Sequence, residues 1–226
     1  MQPTTTSLRD TAEQALGWMR AAGFQHAQVS ASHTQLDELN IVMNEATLLR
    51  STDARKLSLL GITDGRVAST ELADLSPDAV QERIAGLFAD AAAAPRDEAN
   101  AVSSGQHTHV VKGPQQADAE VLAAKVGELL AFRSRTTPRM NLEEADAKHT
   151  LLQWQTLTSG GSDLGGSIGW YGLGVSGSAR EGKQCSSFNY AGGVAHDLGA
   201  EPADSYFGIG HMMRDMERQI VTQTLG

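Results

Sequence analysis

The sequence predicts an α+β fold, a mixed, mostly antiparallel sheet with hairpins packed against about four helices. Three observations lead there. Asp64-Gly65 stands between two strand-like runs, Lys56 to Thr63 and Arg66 to Thr70, and both turn residues tolerate the positive φ of a two-residue hairpin link. Apolar residues in four other segments recur at helical spacing. The strand-like segments come in runs with helices grouped between them, instead of alternating one for one as a parallel sheet requires.

Taken in order, Leu8 to Ala22 is predicted as a helix capped by Ser7, with Gly23 at the left-handed position after its end and Leu8, Ala12, Ala15, Leu16 and Met19 on one face. Phe24 to Leu49 reads as extended segments, with Ala27, Val29 and Ala31 alternating against polar partners. The Asp64-Gly65 hairpin follows. Ser76-Pro77-Asp78 opens a second helix, with a capping hydroxyl, proline at the first helical position and an acid in the first turn. Val80, Ile84, Leu87, Phe88 and Ala91 form its stripe, and Pro95 ends it. Arg96 to Gln116 is polar and rich in small residues. It reads as a surface excursion, and residues 96–117 are the place for any internal division of what is otherwise one domain over 1–226.

A third helix is expected from Asp118 to Phe132, burying Val121, Leu122, Val126, Leu129 and Leu130. From Arg139 to Tyr190 the pattern is strand-like and broken by glycine, with turns at Ser159-Gly160-Gly161-Ser162 and Arg180-Glu181-Gly182-Lys183. Tyr171, Leu173 and Val175 share one strand face, Ile168 and Trp170 the other, and Gln184 to Tyr190 forms the return strand. The last helix should run from Ala203 to Thr224, burying Phe207, Met213, Met216 and Ile220, with Gly208 and Gly210 weakening its start. Its Met212, Val221 and neighbouring apolar residues exceed what one stripe needs, which predicts self-association through this helix or an open sheet edge.

The balance of 27 acidic against 18 basic residues gives a formal charge of -9, which disfavours nonspecific binding to nucleic acid or to an anionic membrane. Cys185 is the only cysteine, so no internal disulfide forms, as expected in a reducing compartment. Met1 to Ser7 carries neither a basic n-region nor an apolar h-region, and no stretch approaches the roughly 20 apolar residues that span a bilayer. The expected location is the cytoplasm.

Candidate chemical motifs are few. Gly172-Leu173-Gly174-Val175-Ser176-Gly177 matches G-x-G-x-x-G, with Asp197 about 20 positions on, but a strand end and a turn follow it where a dinucleotide site needs a helix. Gly165-Gly166-Ser167-Ile168-Gly169 matches G-x-S-x-G, with Asp197 and His211 later in the chain, but the alternating run Trp170 to Val175 replaces the helix a nucleophile elbow requires. His107 and His109 would share one side of a strand without Cys or carboxylate ligands at useful spacing. His26, His33, His149, His196 and His211 are isolated, and none belongs to H-E-x-x-H. Cys185 reads as a buried or half-buried strand residue, and Met212, Met213 and Met216 as core. No catalytic residue and no metal ligand is therefore assigned, and no cofactor is expected in this chain.

The order of several short patterns resembles the N-terminal domain of the TldD/PmbA family, once called modulators of DNA gyrase. These are the first helix and Gly23, the extended run with Asn44-Glu45, the hairpin Leu57 to Thr70, and Asp74-Leu75-Ser76 opening a helix. Thr158-Ser159-Gly160-Gly161 is similar to the family's Asn-Ser-x-Gly turn, with threonine in place of asparagine. The strand through Val175, the segment at Ser186-Ser187, and His196-Asp197-Leu198 before the last helix continue the likeness. The resemblance implies a metallopeptidase system that degrades or processes unfolded peptides, with zinc held by an H-E-x-x-x-H motif in the second half of a TldD-type subunit. That region has no counterpart here, so the catalytic C-terminal domain is expected to be absent and the chain alone inactive. The hairpin Gly61 to Arg66 is closer to the PmbA (TldE) type. The implied role is to wall the peptide cleft and to hold a TldD-type partner. The alternative is a stand-alone binding or scaffolding domain with the same fold.

Overall fold

The structure is a computed structural model that describes residues 7–220. Four α-helices, α1 (Leu8–Ala21), α2 (Pro77–Ala93), α3 (Ala119–Thr136) and α4 (Ile209–Gln219), accompany eight strands. The strands are β1 (His26–Val42), β2 (Glu45–Thr63), β3 (Arg66–Leu72), β4 (His107–Lys112), β5 (Met140–Thr158), β6 (Asp163–Glu181), β7 (Gln184–Cys185) and β8 (Asn189–Ala195). They form one sheet in the order β3-β2-β1-β5-β6-β4, with β7 and β8 also paired to β6. The α+β class is as the sequence predicts. No helix among the described residues is long and apolar enough to cross a membrane.

The chain divides into two compact units. Unit 1 comprises residues up to Thr34, Asp53–Val111 and Leu152–Ile168; unit 2 comprises Gln35–Thr52, Lys112–Leu151 and the residues from Gly169 onward.

In unit 1, Ala27, Val29 and Ala31 of β1 alternate into a buried cluster with Leu57 and Leu59 of β2 and Leu157 of β5. Ala12, Ala15, Leu16 and Met19 of α1 and Val80, Ile84, Leu87 and Ala91 of α2 cover them. These are the expected stripes, and burying such side chains contributes about 1.5–3 kcal/mol each. Ser7 caps α1 by accepting from the Asp10 N–H at 3.0 Å, and Gly23 adopts φ 99° after the helix. Ser76 makes no side-chain cap on α2; the Asp74 carboxylate instead accepts from the Ser76 N–H at 2.9 Å. The Asp64-Gly65 turn is as predicted, with φ 48° and 67° and Thr63 opposite Arg66. Gly61 is bare because a Cβ there would lie 2.2 Å from Phe24 Cε1, and the Phe24 ring in turn meets Phe88 edge-on at 5.1 Å.

Unit 2 buries Ala145 and Ala147 of β5 and Tyr171, Leu173 and Val175 of β6 in one cluster with Leu122, Val126, Leu129 and Phe132 of α3 and Met212, Met213 and Met216 of α4. Asp118 caps α3 through the N–H groups of Glu120 and Val121, and the helix runs one turn beyond the expected end, to Thr136. Lys125 is buried on α3, where its ammonium meets Glu128 at 2.8 Å and donates to the Glu201 carbonyl at 2.7 Å.

The extended segments expected over Phe24 to Leu49 are β1 and the start of β2, joined by a turn at Met43-Asn44, both with positive φ, and Asn44 spans to Asn141 and to the Leu142 N–H on β5. Three expectations need correction. The polar excursion contains a strand, β4. The return strand after Lys183 is interrupted: β7 is two residues, and β8 runs past Tyr190 to Ala195. The last helix starts at Ile209, because Ala203–Gly208 is a separate 3-10 segment in which Phe207 and Gly208 take positive φ. Met212, Met213, Met216 and Ile220 are all buried, so α4 offers no wide apolar surface from these residues. Val221 and the continuation to Thr224 lie outside the described residues.

Candidate functional site

The motifs singled out above fall on strands. The G-x-G-x-x-G run lies wholly inside β6, where it receives cross-strand neighbours: a Cβ on Gly172 would stand 2.9 Å from Lys148 Cε, and one on Gly177 would stand 2.0 Å from the Asn141 carbonyl oxygen. Asp197 does follow a strand, β8, and its carboxylate accepts from the Gly199 N–H at 2.6 Å. Ser167 is also inside β6, with no helix after it, and His211 pairs with Asp215 along α4 at 2.9 Å. Neither glycine motif has the strand–loop–helix setting its chemistry needs.

Cys185 is exposed rather than buried, because β7 is too short to tuck it under a neighbour. His26 and His196 are exposed. His149 is buried and must carry its proton on Nε2, since it donates to the Pro114 carbonyl at 2.9 Å. Among the described residues, no three His, Cys, Asp or Glu side chains converge as a metal site requires.

The turn on which the family likeness rests has a clear structural role. The Thr158 hydroxyl donates to the Ser103 carbonyl at 2.7 Å and accepts from the Ser162 N–H at 3.0 Å. The Ser159 hydroxyl accepts from the Ala27 N–H at 2.9 Å, while its own N–H donates to the Ala27 carbonyl at 2.8 Å. A Cβ on Gly160 would stand 2.6 Å from the Ser103 carbonyl oxygen. The turn thus pins the segment before β4 and the start of β1 to the β5–β6 hairpin.

What sequence reading missed is a polar cleft in unit 1. Residues i and i+2 share a strand face, so His33 continues the face of Ala27, Val29 and Ala31, and Arg55 continues that of Leu57 and Leu59. That face is apolar beneath α1 and turns polar where the helix begins. There Ser7 and Leu8, His33, Arg55, His109, Gln153, Gln155 and Ser167 line a cleft of about 380 Å³. His33 Nε2 stands 2.7 Å from Asp53 Oδ1, which fixes the ring. Gly165 and Gly166 leave β6 bare at this point: a Cβ on Gly165 would meet Gln155 Oε1 at 2.9 Å and His109 Nδ1 at 3.3 Å, and one on Gly166 would meet the Trp154 ring at 2.7 Å.

The start of α1 is tied to β6 by Arg9, whose guanidinium meets Asp163 Oδ2 at 2.6 Å, while the Gln155 amide donates to Asp163 Oδ1 at 2.7 Å. The Arg9 hydrogen bond, with that of Gln155 next, holds the Asp163 carboxyl below its ordinary range. The signal in sequence was the switch from Ala-x-Val-x-Ala to a histidine at the same spacing, which is visible only once the helix's start is placed over the strand.

The structure matches TldE from Thermococcus kodakarensis over 93% of this chain and 47% of that one, with a TM-score of 0.69 at 15% identity. It matches a candidate modulator of DNA gyrase from Thermotoga maritima over 97% of this chain and 50% of that one, at TM-score 0.66 and 10% identity. A third match, a candidate modulator of DNA gyrase from Bacteroides thetaiotaomicron, covers 94% of this chain and 49% of that one at TM-score 0.67 and 18% identity. The chain thus spans about half the length of these solved structures. No profile of a known protein family matches the chain, and no curated protein matches it. The fold is the one expected from the sequence resemblance: this chain is similar in fold to TldE and to the two candidate modulators of DNA gyrase.

Proposed function

We propose that this chain is a zinc-free, TldE-like component of a TldD/PmbA-type peptide-processing system. Its role is to wall the cleft that holds an unfolded peptide and to support pairing with a TldD-type subunit. The observation that carries this reading is the fold match over nearly the whole chain to TldE and to two candidate gyrase modulators. The ordered sequence patterns from Gly23 through the Asp64-Gly65 hairpin to the Thr158-Ser159-Gly160-Gly161 turn support it.

Hydrolysis in such a system belongs to zinc on the partner, where a bound water becomes the nucleophile near neutral pH. This chain's contribution is positional. An extended peptide can lie along an exposed sheet edge, held by main-chain hydrogen bonds that accept any sequence, which suits a substrate without fixed structure.

The test is hydrolysis of an unfolded peptide by this chain, by a TldD-type subunit from the same source, and by the two mixed. The reading expects no hydrolysis by the chain alone, a gain on mixing, and zinc that follows the partner in elemental analysis. Hydrolysis by this chain alone, or mixing without any gain, contradicts it.

A further inference from the structure

The helices of unit 2 all pack on one face of its strands, over Ala145, Ala147, Tyr171, Leu173 and Val175. The opposite face of an antiparallel sheet, when it meets water, is normally polar. On β8 the arrangement is inverted. Ala191, Gly193 and Ala195, opposite Val175, Leu173 and Tyr171, are turned to the core, while Tyr190 and Val194, opposite Ser176 and Gly172, point outward and are 62% and 63% exposed. The small side chains are inside and the large apolar ones outside. Val42 and Leu48 stand farther along this outward face, lining a cleft of about 300 Å³ with Glu38, Arg50, Asp146 and Lys148. Of the eight large apolar side chains exposed among the described residues, seven belong to unit 2, so the apolar surface is concentrated there and not scattered.

We propose that this outward face of unit 2 is where a TldD-type subunit docks. Breadth is the first reason to expect a protein. The strands β2, β1, β5, β6 and β8 lie side by side and span roughly 20 Å at ordinary strand spacing, more than a small ligand covers. Charge is the second. Asp146 pairs with Lys148 at 2.9 Å and Glu38 pairs with Arg50, and Glu144 leaves the balance acidic, which disfavours nucleic acid and an anionic membrane. Length is the third. The matched fold makes up 47%, 50% and 49% of the three solved chains, so in each of them a further body of protein of similar size accompanies this architecture.

Tyr190 is the anchor of the face. A Cβ at Gly174 would stand 3.5 Å from its ring, and one at Gly192 would collide with its hydroxyl, so these glycines let the ring lie along the sheet with one side free. A fixed, exposed aromatic loses little freedom when a partner covers it, and such residues carry much of the energy of protein interfaces. Lys148 is laid beside it in the same way, its stem over Gly172. The identity of the partner rests on the function proposed above; the place of docking rests on the inverted strand.

The test is the affinity of the full chain for a TldD-type subunit from the same source, by isothermal titration, for the parent chain and three variants. Tyr190→Ser with Val194→Ser should weaken pairing roughly tenfold or more, the scale of a lost aromatic anchor. Leu48→Ser, on the same face, should weaken it by less, and it carries the test even where the double variant does not fold. Leu49→Ser is the control: Leu49 is 67% exposed but, as the next residue on the strand, points to the opposite side, and its affinity should match that of the parent chain. Folded variants of Tyr190, Val194 and Leu48 that pair as tightly as the parent overturn the docking face and leave the paired reading standing. So does an equal loss in Leu49→Ser. A parent chain that does not pair at all overturns the paired reading, and this inference with it.

Discussion

In unit 2, the residues of β5 and β6 that enter the core, Ala145, Ala147, Tyr171, Leu173 and Val175, are buried together with α3 and α4. In unit 1, the run Ala27, Val29 and Ala31 of β1 is buried with α1 and α2, but the next residue on that face is His33, and on β2 the face passes from Leu57 to Arg55. Helix length explains the change. The 14 residues of α1 extend about 21 Å, and the part of β1 in unit 1, from His26 to Thr34, extends about 30 Å. A strand that outruns its helix must turn polar or expose apolar surface. In unit 1 it turns polar, and a polar cleft results. Glycine serves the same purpose in both units. In unit 2, Gly169 and Gly172 yield their space to Pro114 and Lys148; in unit 1, Gly165 and Gly166 yield theirs to Gln155, Val110 and Trp154.

The strongest way to break this comparison is to fill a unit 2 glycine. A Cβ at Gly169 would lie 1.6 Å from the Pro114 carbonyl oxygen, a backbone atom that cannot rotate away. Gly169→Val should therefore cost about 5 kcal/mol or more and leave the chain largely unfolded, read from the urea denaturation midpoint. A midpoint near that of the parent chain would mean that this close approach does not exist.

A smaller effect is expected at the unit 1 hairpin. Gly65 has φ 67°, and a Cβ there would stand 3.2 Å from Arg96 Cγ and the Asp97 carbonyl oxygen. Gly65→Val should destabilise the chain by about 1–3 kcal/mol, through a β-branched residue forced into the left-handed region. An unchanged midpoint would argue against the turn.

The smallest effect sharpens the picture at the cleft's edge. Because Arg9 holds the folded-state pKa of Asp163 below its unfolded value, the contact contributes stability above about pH 4, and that contribution is lost as pH falls through the depressed value. Asp163→Asn should cost under about 1 kcal/mol at neutral pH, as exposed ion pairs do, with the difference from the parent chain shrinking in acid. A difference that persists unchanged at low pH would mean that the loss comes from packing rather than from charge.

Much of the fold was legible because local chemistry and tertiary structure agree. Asp64-Gly65 turns as its two residues prefer, Ser7 and Asp118 cap the helices they precede, and the stripes of α1 and α2 are the buried ones. Where the reading failed, a long-range contact decides. Met43 takes positive φ because it shares a two-residue link with Asn44, but methionine does not announce such a turn in sequence; Asn44 is held to Asn141 and Leu142, ninety-odd residues away. The strand β4 is mostly exposed and has no alternating apolar pattern to announce it; its place beside β6 is what makes it a strand. Phe207 and Gly208 divide the last segment by taking left-handed conformations, where apolar spacing alone reads as one helix. The candidate cleft was less legible still. His33, Arg55, His109 and Ser167 come from four strands scattered over more than 130 residues, and no spacing in the sequence joins them.

The most direct test of the functional account is sedimentation velocity of this chain mixed with a TldD-type zinc subunit from the same source, at equimolar concentrations. The account predicts a new, faster boundary holding both chains, with the free-chain boundary depleted. Two boundaries that sediment as they do alone, across a range of concentrations, would contradict it.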